Sequence, residues 1–261
     1  MPEQSLIANQ VDAGRRFGAL ARLYGDAGAR RIRAAHVAVA GIGGVGSWAA
    51  EALARSGVAA LTLIDLDHVA ESNINRQVHA LGATIGQAKI DAMRARIAQI
   101  NPGCQVHVVD DFVTPANWPG LLPRPVSALI DACDQVAAKV ALAAWALQCG
   151  VRFVTVGAAG GKRHGEKVEI ADLAQVTHDP LLAQLRYRLR RHHGAPGGGR
   201  RIGITAVFSR ENVRQPQDCA AATGAPDGSL NCHGYGSTVT VTATFGLCAA
   251  GWLMDRLADS A

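Results

Sequence analysis

At 261 residues, 49% of them hydrophobic and 18% charged, the chain suffices for one large α/β domain, or a core with a small appendage, and is too apolar to be disordered. Its formal net charge of +5 is compatible with an anionic partner and specifies none. The opening MPEQSLIANQVDAG has no basic segment followed by an apolar stretch, so no secretory signal is expected; the six cysteines form no C-x-x-C pair, which excludes a zinc ribbon and suits reduced thiols of a cytoplasmic protein.

Residues 12–33 are predicted helical and rich in arginine. They read as a solvated amphipathic helix packed on the next domain, or as one that brings Arg15, Arg16 or Arg22 to a phosphate. The stretch HVAVAGIGGVGSWAAEALARSGVAALTLIDLD, residues 36–67, organises the rest. Val37 to Ala40 has the length and β-branched content of a buried parallel strand. A glycine turn follows, then helix formers from Trp48 to Arg55 with a stop at Gly57, then a second apolar run, Leu61 to Ile64, ending in Asp65. Strand, glycine turn, helix, strand and acid are the context in which G-x-G-x-x-G signals a bound nucleotide. The glycines let backbone approach a phosphate, the helix start offers free N–H groups, and Asp65 can take ribose hydroxyls.

After Asp65, Asn73 and Arg76 are three apart and share a face of any helical turn. Gly86 to Ile100 is predicted as a helix stopped by Asn101-Pro102, with Lys89 in its first turn. A lysine there is disfavoured by up to about 1 kcal/mol, a balance that a bound polyphosphate would reverse. Gln105–Val109 and Ala128–Ile130 are the next predicted strands. Asp134, just beyond the latter, either caps the helix Gln135–Cys149 or serves a metal or substrate at the crevice where α/β sheets bind ligands. Gly150 ends that helix and Arg152–Val156 forms a further buried strand. A glycine-rich turn leads into a strand around Val168 to Ile170. Asp179-Pro180 starts a helix carrying Arg186, Arg188, Arg190 and Arg191, with Arg200 and Arg201 before a strand at Ile202–Phe208. These six arginines suit either a solvated helix face or a patch for nucleic-acid phosphates. Residues 209–236 form a long turn-rich loop holding Cys219 and Cys232. Thr238–Leu257 could span a membrane by length alone, but its threonines, glycines and last-turn charges favour a buried packing helix.

GIGGVGSWAAEALARSGVAALTLIDLD, SNINRQ, GQAKIDAM and DACD, in this order, resemble the ThiF/MoeB-type adenylating domain of ubiquitin-activating enzymes. Within that superfamily, RRFGALARLYG, NRQVHAL, VVDDFVTPANW and DPLLAQLRYRLR are similar to the tRNA threonylcarbamoyladenosine dehydratase family. The likeness covers roughly residues 14–257. It implies a Rossmann-like, largely parallel α/β sheet with helices on both faces and added C-terminal strands and helices. The expected divisions are a helical segment at 1–35, an ATP-binding core at 36–157 and the remainder of the same domain at 158–261.

The resemblance further implies a homodimer that binds ATP with magnesium. Gly41, Gly43, Gly44 and Gly46 would form the nucleotide turn, Asp65 would hold the ribose with Asp67 beside it, and Asn73, Arg76 and Lys89 would contact the phosphates. Asp134 would lie near magnesium, and Arg22 matches an arginine commonly delivered from the partner subunit. Arg186, Arg190 and Arg191 are the candidates for binding tRNA that carries N6-threonylcarbamoyladenosine. A monovalent cation, Na+ or K+, and an accessory sulfur-transfer protein are further candidates. No ubiquitin-like domain is fused to the chain, and for the thioester cysteine of some relatives Cys232 is the nearest counterpart.

Adenylation accounts for these residue types. A carboxylate is a poor electrophile, and attack on the α-phosphate of ATP gives a mixed anhydride from which AMP leaves readily. Pyrophosphate departs with growing negative charge, which calls for a metal and several cations. An NAD-dependent oxidoreductase would share the glycine motif and the acid but has no use for Asn73, Arg76 and Lys89. An enzyme that adenylates a small sulfur-carrier protein would use those residues identically and would not need the arginine-rich helix.

Overall fold

The computed structural model describes residues 12–214 and 235–259. One seven-stranded sheet organises it. The strands are β1 (His36–Ala40), β2 (Ala60–Ile64), β3 (Gln105–Val109), β4 (Ala128–Asp131), β5 (Arg152–Val156), β6 (Val168–Asp172) and β7 (Thr205–Ser209), in the spatial order β3-β2-β1-β4-β5-β7-β6. Neighbours run parallel except the edge pair β6–β7. The largely parallel sheet expected from the sequence is therefore present, and it continues through the C-terminal strands.

The helices are α1 (Ala13–Phe17), α2 (Ala19–Ala34), α3 (Gly46–Arg55), α4 (Lys89–Ile100), α5 (Val136–Cys149), α6 (Pro180–His192) and α7 (Val239–Ala258). Alternation along β1 shows why they cover both faces. Val37 and Val39 pack with Leu53 of α3, Met93 of α4 and Phe245 and Leu253 of α7, whereas Ala38 and Ala40 pack with Leu142 of α5 and Leu185 of α6. A strand covered on both sides needs no polar positions, hence its unbroken apolar run. Helix α7 is a packing helix, with Val241, Phe245, Ala249 and Leu253 fully buried at a spacing of four. Among the described residues, no helix is long and apolar enough to cross a membrane.

Most boundaries shift by one or two residues from the sequence-based expectation, and three elements differ by more. The helix expected over 12–33 is split between α1 and α2 and kinks at Gly25, whose φ is +68°. Helix α4 starts at Lys89 rather than Gly86, because Gly86 has φ +84° and Ala88 pairs with His68 in an isolated bridge. Strand β7 starts at Thr205 rather than Ile202, because the amides of Ile202 and Gly203 donate to the Asp172 carboxylate at 3.0 and 2.8 Å.

The connection from β2 to α4 buries His79, which is 1% exposed and has no hydrogen-bond partner at either ring nitrogen. Burial, with Lys89 and Arg96 adding to it, lowers its pKa from 6.5 to about 4. The unfolded chain therefore takes up a proton near pH 6.5 that the folded protein refuses until about 4, and acidification across that window favours unfolding. The effect reaches up to about 3 kcal/mol. His79→Leu leaves no orphaned nitrogen and should lose less stability over this range, as read from urea midpoints against pH. Identical pH slopes for the two proteins would remove His79 from the acid response.

Candidate active site

The strand order reverses between β1 and β4, and the crevice beyond the carboxyl ends of such strands is where α/β sheets take ligands. A cavity of about 360 Å³ opens there. Its walls come from the segments after five strands: Gly41 to Val45, Asp65 and Asp67, Asp111 to Val113, Ala132 to Gln135, and Gly157 to Gly160.

The glycine turn is set by backbone contact. Gly41 has φ +86°, and a Cβ there would lie 2.8 Å from the Ala132 carbonyl oxygen. A Cβ at Gly46 would lie 1.8 Å from the Gly41 carbonyl oxygen. Helix α3 begins directly behind this turn with no side-chain cap; the Ser47 amide donates to the Gly43 carbonyl at 3.1 Å, which folds the glycine turn onto the start of the helix. Asp65, 7% exposed, ties the turn to β2. Its Oδ2 accepts the Ile42 amide at 2.6 Å and its Oδ1 the Asp67 amide at 2.9 Å. Burial raises the Asp65 pKa, opposed by Lys89 and by these amides.

Lys89 is nearly buried at the first position of α4. Its Nζ lies 2.6 Å from Asp67 Oδ2 and 3.9 Å from Asp65 Oδ1. These two carboxylates explain how a lysine is tolerated at a helix N-terminus in the protein alone. Asn73 ends a single 3-10 turn (Glu71–Asn73), where its Oδ1 accepts the Ala70 amide at 3.0 Å. Arg76 lies across Gly44, its Nη1 donating to the Ser72 carbonyl at 2.8 Å and to Asn75 Oδ1 at 2.9 Å. Asn73, Arg76 and Lys89 line the cavity together.

Asp134 lines the opposite wall, exposed and without an ion pair among the described residues. It does not cap α5, whose N-cap is Gln135 with no side-chain hydrogen bond; one residue too early, its carboxylate is left facing the cavity. Among the described residues no group of three His, Cys, Asp or Glu could hold a metal alone. The Cys133 thiol beside Asp134 is pushed well above its ordinary pKa by burial and by Asp131, which makes it a poor nucleophile.

Other expected residues lie elsewhere. Arg22 is exposed on α2 and does not line this cavity. Arg186 is half-buried, its Nη1 donating to the carbonyls of Leu173 at 3.1 Å and Val176 at 2.7 Å. Arg190 donates from Nε to the Pro196 carbonyl at 3.1 Å, and Arg191 donates to the Tyr187 hydroxyl. Two of the three arginines expected to meet tRNA thus fasten their own helix, while Arg188, Arg191, Arg200 and Arg201 are exposed. Cys219 and Cys232 fall outside the described residues. Gln77 was not anticipated: it is 5% exposed on the cavity wall, and its Oε1 has no partner. Its only sequence signal is its place directly after Arg76.

The chain is 45% identical to tRNA threonylcarbamoyladenosine dehydratase of Escherichia coli over 249 residues, 93% of each chain. It is 41% identical to the dehydratase of the same name from Haemophilus influenzae over 244 residues, again 93% of each. Its fold matches a crystal structure of the Escherichia coli tRNA N6-threonylcarbamoyladenosine dehydratase in complex with ATP at a TM-score of 0.84 and 42% identity, covering 95% of this chain and 96% of that one. The ThiF family model matches residues 17–259, from the end of α1 to the last described residue, and the chain belongs to the ThiF family.

Proposed function

We propose that this chain uses ATP to dehydrate N6-threonylcarbamoyladenosine next to the tRNA anticodon. The observation that carries the reading is the convergence of the glycine turn, Asp65, Asn73, Arg76, Lys89 and Asp134 on one cavity, in a chain alike over 93% of its length to a dehydratase of that name. The glycine turn and the start of α3 receive the phosphates, and Asp65 receives the ribose. An oxygen of the threonine carboxylate attacks the α-phosphorus, and the bond from that phosphorus to pyrophosphate breaks. Arg76 and Lys89 meet the charge that develops on the leaving group. Asp134 would hold magnesium, which supplies further positive charge to the phosphates when bound.

The resulting mixed anhydride is attacked at its acyl carbon by the carbamoyl group of the same modified base. The ring closes, the acyl–oxygen bond breaks, AMP leaves with both bonding electrons, and the attacking group loses a proton. The net change is loss of water at the expense of ATP. No enzyme nucleophile is needed, in keeping with the raised Cys133 pKa. Neither a monovalent cation nor a sulfur-transfer protein enters these steps. A substrate of modified tRNA suits a cytoplasmic enzyme. Purified protein incubated with ATP and modified tRNA should convert the base to a product lighter by one water, seen by gentle nucleoside mass spectrometry. Adenylation of a sulfur-carrier C-terminus in its place would establish the rival reading.

The exposure of Arg22 away from this cavity suits delivery to the site of a partner subunit. Loss of an arginine acting on a transferring phosphoryl group costs on the order of 10³–10⁵ in rate. Mixing Arg22→Ala with Lys89→Ala protein should then restore part of the activity, because a mixed dimer contains one intact site. Lack of recovery despite demonstrated subunit exchange would assign Arg22 to its own subunit or to no site.

The exposed arginines Arg188, Arg191, Arg200 and Arg201 are the set placed to meet tRNA phosphates. Replacing all four with alanine should weaken tRNA binding and reduce the slope of log K against log salt by up to about 3. ATP binding should persist. Arg186→Ala should instead cost stability, about 1–3 kcal/mol, by leaving two carbonyls without their donor. Wild-type tRNA affinity and salt slope in the fourfold variant would mean that tRNA docks elsewhere.

A further inference from the structure

Beneath the cavity, where β4 and β5 end against the first turns of α5, lies a lysine with no access to solvent. Lys139 and Asp131 are both 0% exposed, with Lys139 Nζ 3.1 Å from Asp131 Oδ2. The ammonium also donates to Thr155 Oγ1 at 3.1 Å and to the Val156 carbonyl at 2.7 Å, so its three donors are matched by three acceptors. Thr155 Oγ1 donates in turn to Asp131 Oδ2 at 2.6 Å. The remaining carboxylate oxygen, Oδ1, accepts the Cys133 amide at 3.1 Å.

A buried ion pair is a poor source of stability, since apolar residues of similar volume do as well or better. What distinguishes this one is where its bonds end. Through Asp131 it shapes the turn Ala132–Asp134, which carries the carboxylate facing the cavity. The Ala132 carbonyl is also the atom against which Gly41 closes. Through Val156 it holds the end of β5 just before Gly157, where the facing wall begins. Lys139 itself does not line the cavity, so it acts on a ligand only through these walls.

We infer that Lys139 and Asp131 are positioning residues, which set the Ala132–Asp134 turn so that Asp134 meets the metal-bearing phosphates of the nucleotide. The identity of the reaction rests on the function proposed above; the placement of the turn does not. Two double variants separate positioning from support of the fold. Asp131→Leu with Lys139→Met removes both charges and the acceptor for the Cys133 amide. Asp131→Asn with Lys139→Met removes both charges and keeps that acceptor. Both should melt close to the wild-type protein.

The first double variant should lose ten- to a hundredfold in adenylation kcat and need about tenfold more magnesium for half-maximal ATP binding, the scale of misplaced reacting groups and of lost outer-sphere support for a metal. Amide hydrogen exchange at 132–134 in the nucleotide-free protein should be faster. The second variant should recover most of all three readouts. If either double variant melts far below wild type, Thr155→Val, which removes only the bridging hydroxyl, is read in the same three ways, with a smaller change in the same direction expected. A folded first variant, or failing that a folded Thr155→Val, with unchanged magnesium dependence and unchanged exchange at 132–134 overturns the inference. If the wild-type protein binds ATP with magnesium yet leaves modified tRNA untouched, the proposed function fails, and the binding and exchange readouts still decide the role of Lys139.

Discussion

Close approach of backbone to backbone at the end of β1 is the constraint on which the site depends. Gly41 turns under the Ala132 carbonyl, and Gly46 meets the Gly41 carbonyl at a distance that no Cβ could share. A third glycine, Gly246 of α7, lies where a Cβ would be 2.3 Å from the Val45 carbonyl oxygen. Three elements distant in sequence therefore converge on one turn because side chains are missing there. The cavity is the space left in front of that convergence. Displacing the turn would also break the bond from the Ile42 amide to Asp65, and with it the link between β2 and the glycine loop.

Charge around the cavity follows the same economy of space. Burial raises the Asp65 pKa, and Lys89 opposes that shift. Lys89 in turn is nearly buried and is held by Asp67. A polyanion arriving at Lys89 meets a lysine already desolvated and oriented, so part of the ordering cost of binding is met in advance. Asp179 extends the arrangement toward the arginine-bearing helix. It caps α6 through the Leu182 amide and holds the Ala158 amide of the cavity wall, each at 2.9 Å. The helix that carries the exposed arginines is thereby joined by one buried carboxylate to the wall of the nucleotide cavity.

The arginines show how one residue type divides by context. All six in the segment 186–201 have the same charge, four of them on α6 and two in the turn after it. Arg186 lies over the carbonyls of Leu173 and Val176, which flank a 3-10 turn, whereas Arg188 projects from the far side of the helix into solvent. Periodicity identifies the helix face on which each residue sits. It does not show which loop will fold against that face.

The sequence by itself determined the strand–turn–helix–strand unit at 36–67, the helices ended by Asn101 and Gly150, the buried character of α7, and the family likeness that marks Asn73, Arg76, Lys89 and Asp134. Each of these is written in local spacing, apolar periodicity or glycine placement, and local sterics follow from the residues alone. Only the tertiary structure decided which charges meet. Lys89 pairs with Asp67 across 22 residues, Lys139 reaches Thr155 from the facing element, and Asp134 does not cap α5 because that helix starts one residue later than a capping role requires. These outcomes depend on distances between segments that the sheet order brings together. Side-chain pairing is a property of that packing, and no spacing along the chain encodes it.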